Sequence, residues 1–194
     1  MKNTYFNDPY LYYTFAECVS PVAEGVKPSG LLTIWKYRIP HIDLGSYLHN
    51  HQEFLVEGCS FEILKETSLY YLLFFYQEDM LKHTIREYRA SELLKGYPVE
   101  ELSKIIHYLK KRIMEYHFEG KEFPHEIGIF LGYPIWDVEG FIEHKGQNYK
   151  FCGYWKVYQD VEGAKLKFKE YDRIRESALH KYYCEVEKNN RINS

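Results

Sequence analysis

The chain has 194 residues, 45% hydrophobic and 27% charged, an ordinary globular balance with enough apolar material for one continuous core. Its formal charge is -3, with lysines and arginines dispersed among aspartates and glutamates, so there is no basic stripe and nucleic acid is excluded as an expected partner. Cys18, Cys59, Cys152 and Cys184 are widely spaced and form no C-x-x-C, which argues against a zinc ribbon or a disulfide framework and leaves no metal site to expect.

The start, "MKNTYFNDPYLYY", lacks the basic and apolar parts of a signal peptide, and the longest apolar run, "LYYLLFFY", is far too short to span a bilayer. The expectation is a cytoplasmic protein with no membrane association. No stretch reads as a linker, so residues 1–188 are expected to form one domain, with 189–194 as a frayed tail.

In chain order, Tyr10 to Glu24 reads as a helix stopped by Gly25, followed by the turn "GVKPSG". "LLTIWKY", Leu31 to Tyr37, is β-rich and Pro40 closes it. Leu44 to Glu57 keeps helical spacing at Leu44, Tyr47, Leu48, Phe54 and Leu55, with Gly58 as cap. "SFEILKET" and "LYYLLFFY" then stand almost end to end, which predicts an antiparallel hairpin. The second run is apolar on both faces, as in a central strand covered by helices on either side.

Two helices are predicted next, from about Glu78 to Leu94 and from Pro98 to His117. Leu102, Ile105, Ile106, Leu109, Ile113 and Met114 give the second an unbroken core stripe. The stretch "FPHEIGIFLGYPIWDV" reads as a strand from Ile127 to Leu131, a turn at Gly132 to Pro134, and a helix from Ile135 to His144. "NYKFCGYWKVY" reads as a last strand before a charged helix from Val161 to about Glu187. The sum is an α/β protein, or a mixed α+β one, with about five strands in a mixed sheet and helices on both faces.

Phosphate-binding, dinucleotide and hydrolase signatures are missing, and His125-Glu126 continues as Ile127-Gly128, without the second histidine of H-E-x-x-H. The sequence therefore names no cofactor. The "HNH" of His49 to His51 puts its two imidazoles on different sides of a helix, so they cannot share one metal. In layered α/β folds ligands gather at the carboxyl ends of strands, which makes Gly132, Tyr133 and Pro134 the expected pocket wall. His125 and Glu126 would then lie at the other end of that strand, roughly 17 Å away, outside the same pocket.

The 20 tyrosines are expected mostly in the core with their hydroxyls at its wet edge, or else as an exposed partner-binding surface. A third alternative is a papain-like amidase or transferase pairing the Cys18 thiol with His125 as general base. "HEIGIFLG" is similar in texture to the histidine strand of bacterial cell-wall amidases. Such enzymes, however, place the thiol at a helix N-terminus, and Cys18 falls inside a predicted helix. His125, Glu126 and Cys18 are the candidate catalytic residues.

"SPVAEGVKPSGLL", "FPHEIGIFLGYPIWDVEGFI" and "CGYWKVY" together resemble a bacterial family catalogued as domain of unknown function 3793. The resemblance covers most of the chain. It implies no activity, but it singles out Lys27, His125, Glu126, Gly132, Tyr133, Pro134, Asp137, Gly153, Trp155, Lys156 and Tyr158. The family pattern would put its cysteine at Val19, whereas this chain has Cys18, about 100 degrees around a helix. It also carries an acidic residue where Trp136 stands. Two cations, aromatic rings and a glycine turn make the composition of a pocket for an anionic, partly aromatic small molecule of the nucleotide or organic cofactor class. The expected ligand-binding set is Lys27, Gly132, Tyr133, Asp137, Trp155, Lys156 and Tyr158.

Overall fold

A strand that is apolar at nearly every position, like "YYLLFFYQ", is stable only where both of its faces are covered. In the computed structural model, which describes residues 8–50, 59–119 and 121–192, with the side chains at 185 and 189–192 left aside, that strand is central. Strand β1 (Ser29–Trp35), β2 (Cys59–Glu66) and β3 (Tyr70–Gln77) form an antiparallel sheet in the order β1-β3-β2. The side-chain alternation of β3 divides its residues between two cores.

On one face Phe74 and Leu64 pack with Leu81 and Ile85 of α4 (Glu78–Tyr88) and with Ile105, Ile106, Leu109 and Ile113 of α5 (Leu102–Glu119). On the other, Tyr71, Leu73 and Phe75 meet Leu11 and Phe15 of α1 (Pro9–Cys18) and Leu44 and Leu48 of α3 (Leu44–Asn50). Residues 51–58, which include the rest of the helix predicted from Leu44 to Glu57, His51 and the Gly58 cap, lie outside the described residues.

The helix expected from Tyr10 to Glu24 is two: α1 ends at Cys18, and α2 (Ser20–Ala23) restarts one residue later. Pro21 explains the break, because proline brings no N–H to an ongoing helix and crowds the turn before it. The helix expected from Glu78 to Leu94 ends at Tyr88 and is followed by a short 3-10 turn at Glu92–Leu94.

Two further expectations need correction. Ile127 to Leu131 is no strand: it contains α6 (Ile127–Phe130), a single helical turn whose four residues are all buried. A short apolar run buried on every side reads the same in either conformation, so periodicity could not separate them. "NYKFCGYWKVY" is a small hairpin of β4 (Phe151–Cys152) and β5 (Lys156–Val157), bent at Gly153 to Trp155 and separate from the main sheet. The architecture is therefore mixed α+β. Among the described residues it comprises eight α-helices, a three-stranded antiparallel sheet and a two-stranded one, rather than a five-stranded mixed sheet.

After α7 (Ile135–Glu143), the last helix α8 (Val161–Ile192) runs well beyond Glu187 and through most of the expected tail. Between Gly163 and Ile192 it meets neither glycine nor proline, so nothing in the sequence stops it. Tyr12 of α1 stacks on Tyr182 of α8, with ring centroids 4.7 Å apart. No helix of the described residues is long and apolar enough to cross a membrane.

Because Phe74 and Phe75 each fill a different core and are almost wholly buried, truncating either to alanine is expected to cost about 3–5 kcal/mol. Urea denaturation of the two variants checks this; one small and one large loss would mean that β3 is covered on one face only.

Candidate functional site

The three quoted stretches meet at one place. Gly132, at φ +76, occupies the left-handed region, and a Cβ there would stand 2.6 Å from the Pro28 ring. The "GVKP" turn thus lies directly against the "LGYP" turn. The Ser29 hydroxyl reinforces the contact by donating to the Phe130 carbonyl at 2.6 Å. On the far side Tyr133 stacks on Trp155 of the hairpin, centroids 5.0 Å apart, and its hydroxyl donates to the Tyr154 carbonyl at 3.3 Å.

Asp137, in the first turn of α7, holds the hairpin in position. It is buried, and one carboxylate oxygen accepts from the Trp155 indole N–H at 2.8 Å while the other accepts from the backbone N–H groups of Tyr158 (2.7 Å) and Gln159 (3.2 Å). Its place near a helix N-terminus also suits a negative charge. Tyr158 packs so tightly on Gly140 that a Cβ there would come within 2.6 Å of its ring. These are anchoring contacts: Asp137 and Tyr158 are spent on the hairpin.

Between α6, α7 and the hairpin lies a chamber of 340 Å³. The rings of Phe123, Tyr133, Phe141, Tyr154 and Trp155 supply most of its wall, and His125, Asp137, Cys152 and Lys156 supply its polar atoms. His125 and Tyr133 therefore share one space, contrary to the separation that a strand would impose. A helical turn rises only about 1.5 Å per residue, less than half of a strand's rise, and folds both ends of the stretch onto one wall.

The His125 ring lies 5.3 Å from that of Phe123 and 5.1 Å from that of Phe141, and it makes no side-chain hydrogen bond among the described residues. Lys156 donates to the Gly146 carbonyl at 2.6 Å, with its ammonium 4.8 Å from the Tyr149 centroid, and so stands at the chamber edge with donors to spare. Glu126 turns the other way. It is buried and accepts from the Tyr97 hydroxyl and from Arg112 Nε, both at 3.0 Å, in a second cleft of 400 Å³. Burial and the Glu126 charge hold the Tyr97 hydroxyl well above its ordinary pKa.

Lys27 does not line the chamber. Its ammonium sits behind the wall, 5.7 Å from the Tyr133 centroid and 5.9 Å from that of Tyr171, with no ion pair among the described residues. Burial pulls its pKa down to about 8, with the Cys18 thiolate charge opposing, and burial pushes both tyrosines up to about 12. Cys18 is the last residue of α1 and lines neither cavity. Desolvation, then the Glu17 charge, push its thiol up, the reverse of what an activated nucleophile needs.

Sequence reasoning overlooked Cys152, Phe123, Phe141, Arg112 and Tyr97. Cys152, Phe123 and Phe141 stood within the quoted motifs without being singled out, whereas Arg112 and Tyr97 lie on elements that only the folded chain brings near. Among the described residues no three of His, Cys, Asp and Glu come together to hold a metal ion. The exposed tyrosines Tyr37, Tyr116, Tyr149 and Tyr183 lie on four separate segments.

Replacing Asp137 with asparagine keeps an acceptor for the two backbone N–H groups but offers the Trp155 indole an NH2 in place of an oxygen. The expected loss is about 1–3 kcal/mol, with a red shift of Trp155 emission read in a background where Trp35 and Trp136 are phenylalanine. A second expectation concerns Lys27. Below pH 8 folded and unfolded chains both hold its proton, so the cost of burying the charge is fully present. Between 8 and the ordinary 10.5 the folded chain releases the proton while the unfolded chain keeps it, so stability rises with pH. From pH 7 to 9.5 the native chain should gain about 2 kcal/mol relative to Lys27→Met in urea midpoints, the window lying below the tyrosine titrations.

The family model described as protein of unknown function (DUF3793) matches residues 15–192. That is nearly the whole chain, and the chain belongs to this family. Comparison with curated proteins and with solved structures finds no match.

Proposed function

We propose that this family member binds a small molecule with a planar ring and an anionic group, the ring lying in the aromatic chamber and the anion meeting Lys156. The observation that carries the reading is the chamber itself. Its 340 Å³ falls within the range of small-molecule sites, and its wall is mostly aromatic with a few convergent polar groups. Flat apolar rings gain both buried area and offset stacking from such a wall, and Tyr133 against Trp155 already shows the geometry. Lys156 supplies the positive charge, and His125 supplies an imidazole free to donate or accept.

Of the residues expected to touch ligand, Lys156, Tyr133 and Trp155 fit that role here. Asp137 and Tyr158 shape the chamber from outside the ligand, Gly132 lets the Pro28 turn close against it, and Lys27 backs the Tyr133 ring. An amidase using Cys18 and His125 gains no support from this arrangement, since Cys18 lines neither the chamber nor the cleft that His125 lines.

The test uses 8-anilinonaphthalene-1-sulfonate and its uncharged relative N-phenyl-1-naphthylamine. Both should bind saturably, one per chain, and Lys156→Met should weaken the sulfonate about twofold to fivefold while sparing the neutral probe, as expected for one partly exposed charge contact. Bound probe should also slow alkylation of Cys152 by iodoacetamide but leave Cys18, which is likewise exposed but outside the chamber, unaffected. Equal protection of both thiols, or binding without saturation, would remove the proposal.

A further inference from the structure

The second cleft plays no part in the reading above, yet it adjoins the chamber: Phe123 and His125 line both. The character of the two spaces differs. Where the chamber is aromatic, the cleft is walled by Glu92, Lys95, Tyr108, Arg112, Glu122 and Glu126. Its charges largely satisfy one another, Glu92 with Lys95 at 2.9 Å and Glu126 with Arg112 at 3.0 Å.

That pairing decides what the cleft can accept. An oxyanion would face three carboxylates against two cations, and an ammonium would have to compete with Lys95 and Arg112 for their partners. A neutral group that both donates and accepts at several points meets neither obstacle. Arg112 meets Glu126 through Nε, so the guanidinium presents further N–H groups beyond that contact. The carboxylates keep spare lone pairs, Glu122 has no ion pair among the described residues, and Tyr108 lines the same wall. Adjacent hydroxyls on a sugar ring, each at once donor and acceptor, match that set.

We infer that chamber and cleft form one two-part site for a glycosylated ring, a nucleoside or an aryl glycoside, with the ring in the chamber and the sugar in the cleft. His125 lines both parts and so stands at their seam. This rests on the chamber reading and adds to it the class of ligand. The anionic or electron-rich edge of the ring remains directed at Lys156, since the cleft repels it.

The experiment compares adenine with adenosine, and phenol with phenyl β-D-glucopyranoside, by calorimetric titration of the full chain. In the native protein each glycoside should bind about tenfold or more tightly than its ring alone, the worth of one or two net hydrogen bonds. The double variant Arg112→Gln, Glu126→Gln removes both charges together and so leaves neither buried without a partner. It should bring ring and glycoside to within about threefold of each other and leave ring affinity unchanged, which also shows that the variant is folded. Should that variant not fold, Glu122→Gln, at an exposed position, is expected to lower the preference for the glycosides alone.

Equal affinities in the native chain, or a preference that survives these substitutions, would overturn the two-part site and leave ring binding in the chamber intact. If neither the rings nor the glycosides bind, the two-part site falls, while the chamber reading stands or falls with the sulfonate probe.

Discussion

One buried carboxylate determines whether there is a chamber at all. The hairpin forming one of its walls has strands of only two residues each, held to each other by few backbone bonds such as Lys150 N–H to the Val157 carbonyl at 2.8 Å. A pair of strands that short is not stable in isolation. Asp137 supplies what the backbone lacks, because it gathers three donors, one from the bend and two from the chain just after the returning strand, onto the first turn of α7. The indole thereby fixed is the one on which Tyr133 stacks, and Phe168 of α8 closes on its edge with centroids 4.5 Å apart. Ring stacking, hairpin and chamber all follow from where that charge is buried.

Much of the main sheet was legible from local pattern. The two adjoining apolar runs form the antiparallel hairpin they suggest, and the two-sided apolar character of "YYLLFFY" places that strand in the centre with helices on both faces. These signals are local, and the structure only had to realise them. The misreadings came where local pattern carries no choice. "IGIF" has no polar face in either conformation, so only its packing against α4 and α7 reveals a helical turn. In "NYKFCGYWKVY" the alternation of a strand continues across a bend that Gly153 permits; the Phe168 ring occupies the space where a side chain at that position would stand.

For the site, residue types were legible and their duties were not. Two lysines, an aspartate and three rings in motifs suggest a pocket, but composition cannot tell a residue that faces the cavity from one that braces its wall. Asp137 and Tyr158 became braces because their polar and aromatic surfaces are already used by the hairpin and by Gly140. Lys27 became a backing charge because the Pro28 turn, pressed on Gly132, delivers it to the outer side of Tyr133. Arg112 and Tyr97 carried no sequence signal of their own. They matter through Glu126, and that partnership spans 14 and 29 positions of the chain.

The shortness of that hairpin has a kinetic side. Amides whose protection depends on side-chain anchors open with less free energy than those of a three-stranded sheet packed on both faces, so the two regions are expected to open as different cooperative units. Opening of the smaller unit would uncover the chamber without disturbing Phe74 or Phe75. Entry and exit of anything held there would then be timed by the release of Trp155 from Asp137, and residence in the chamber would be a property of the wall more than of its occupant.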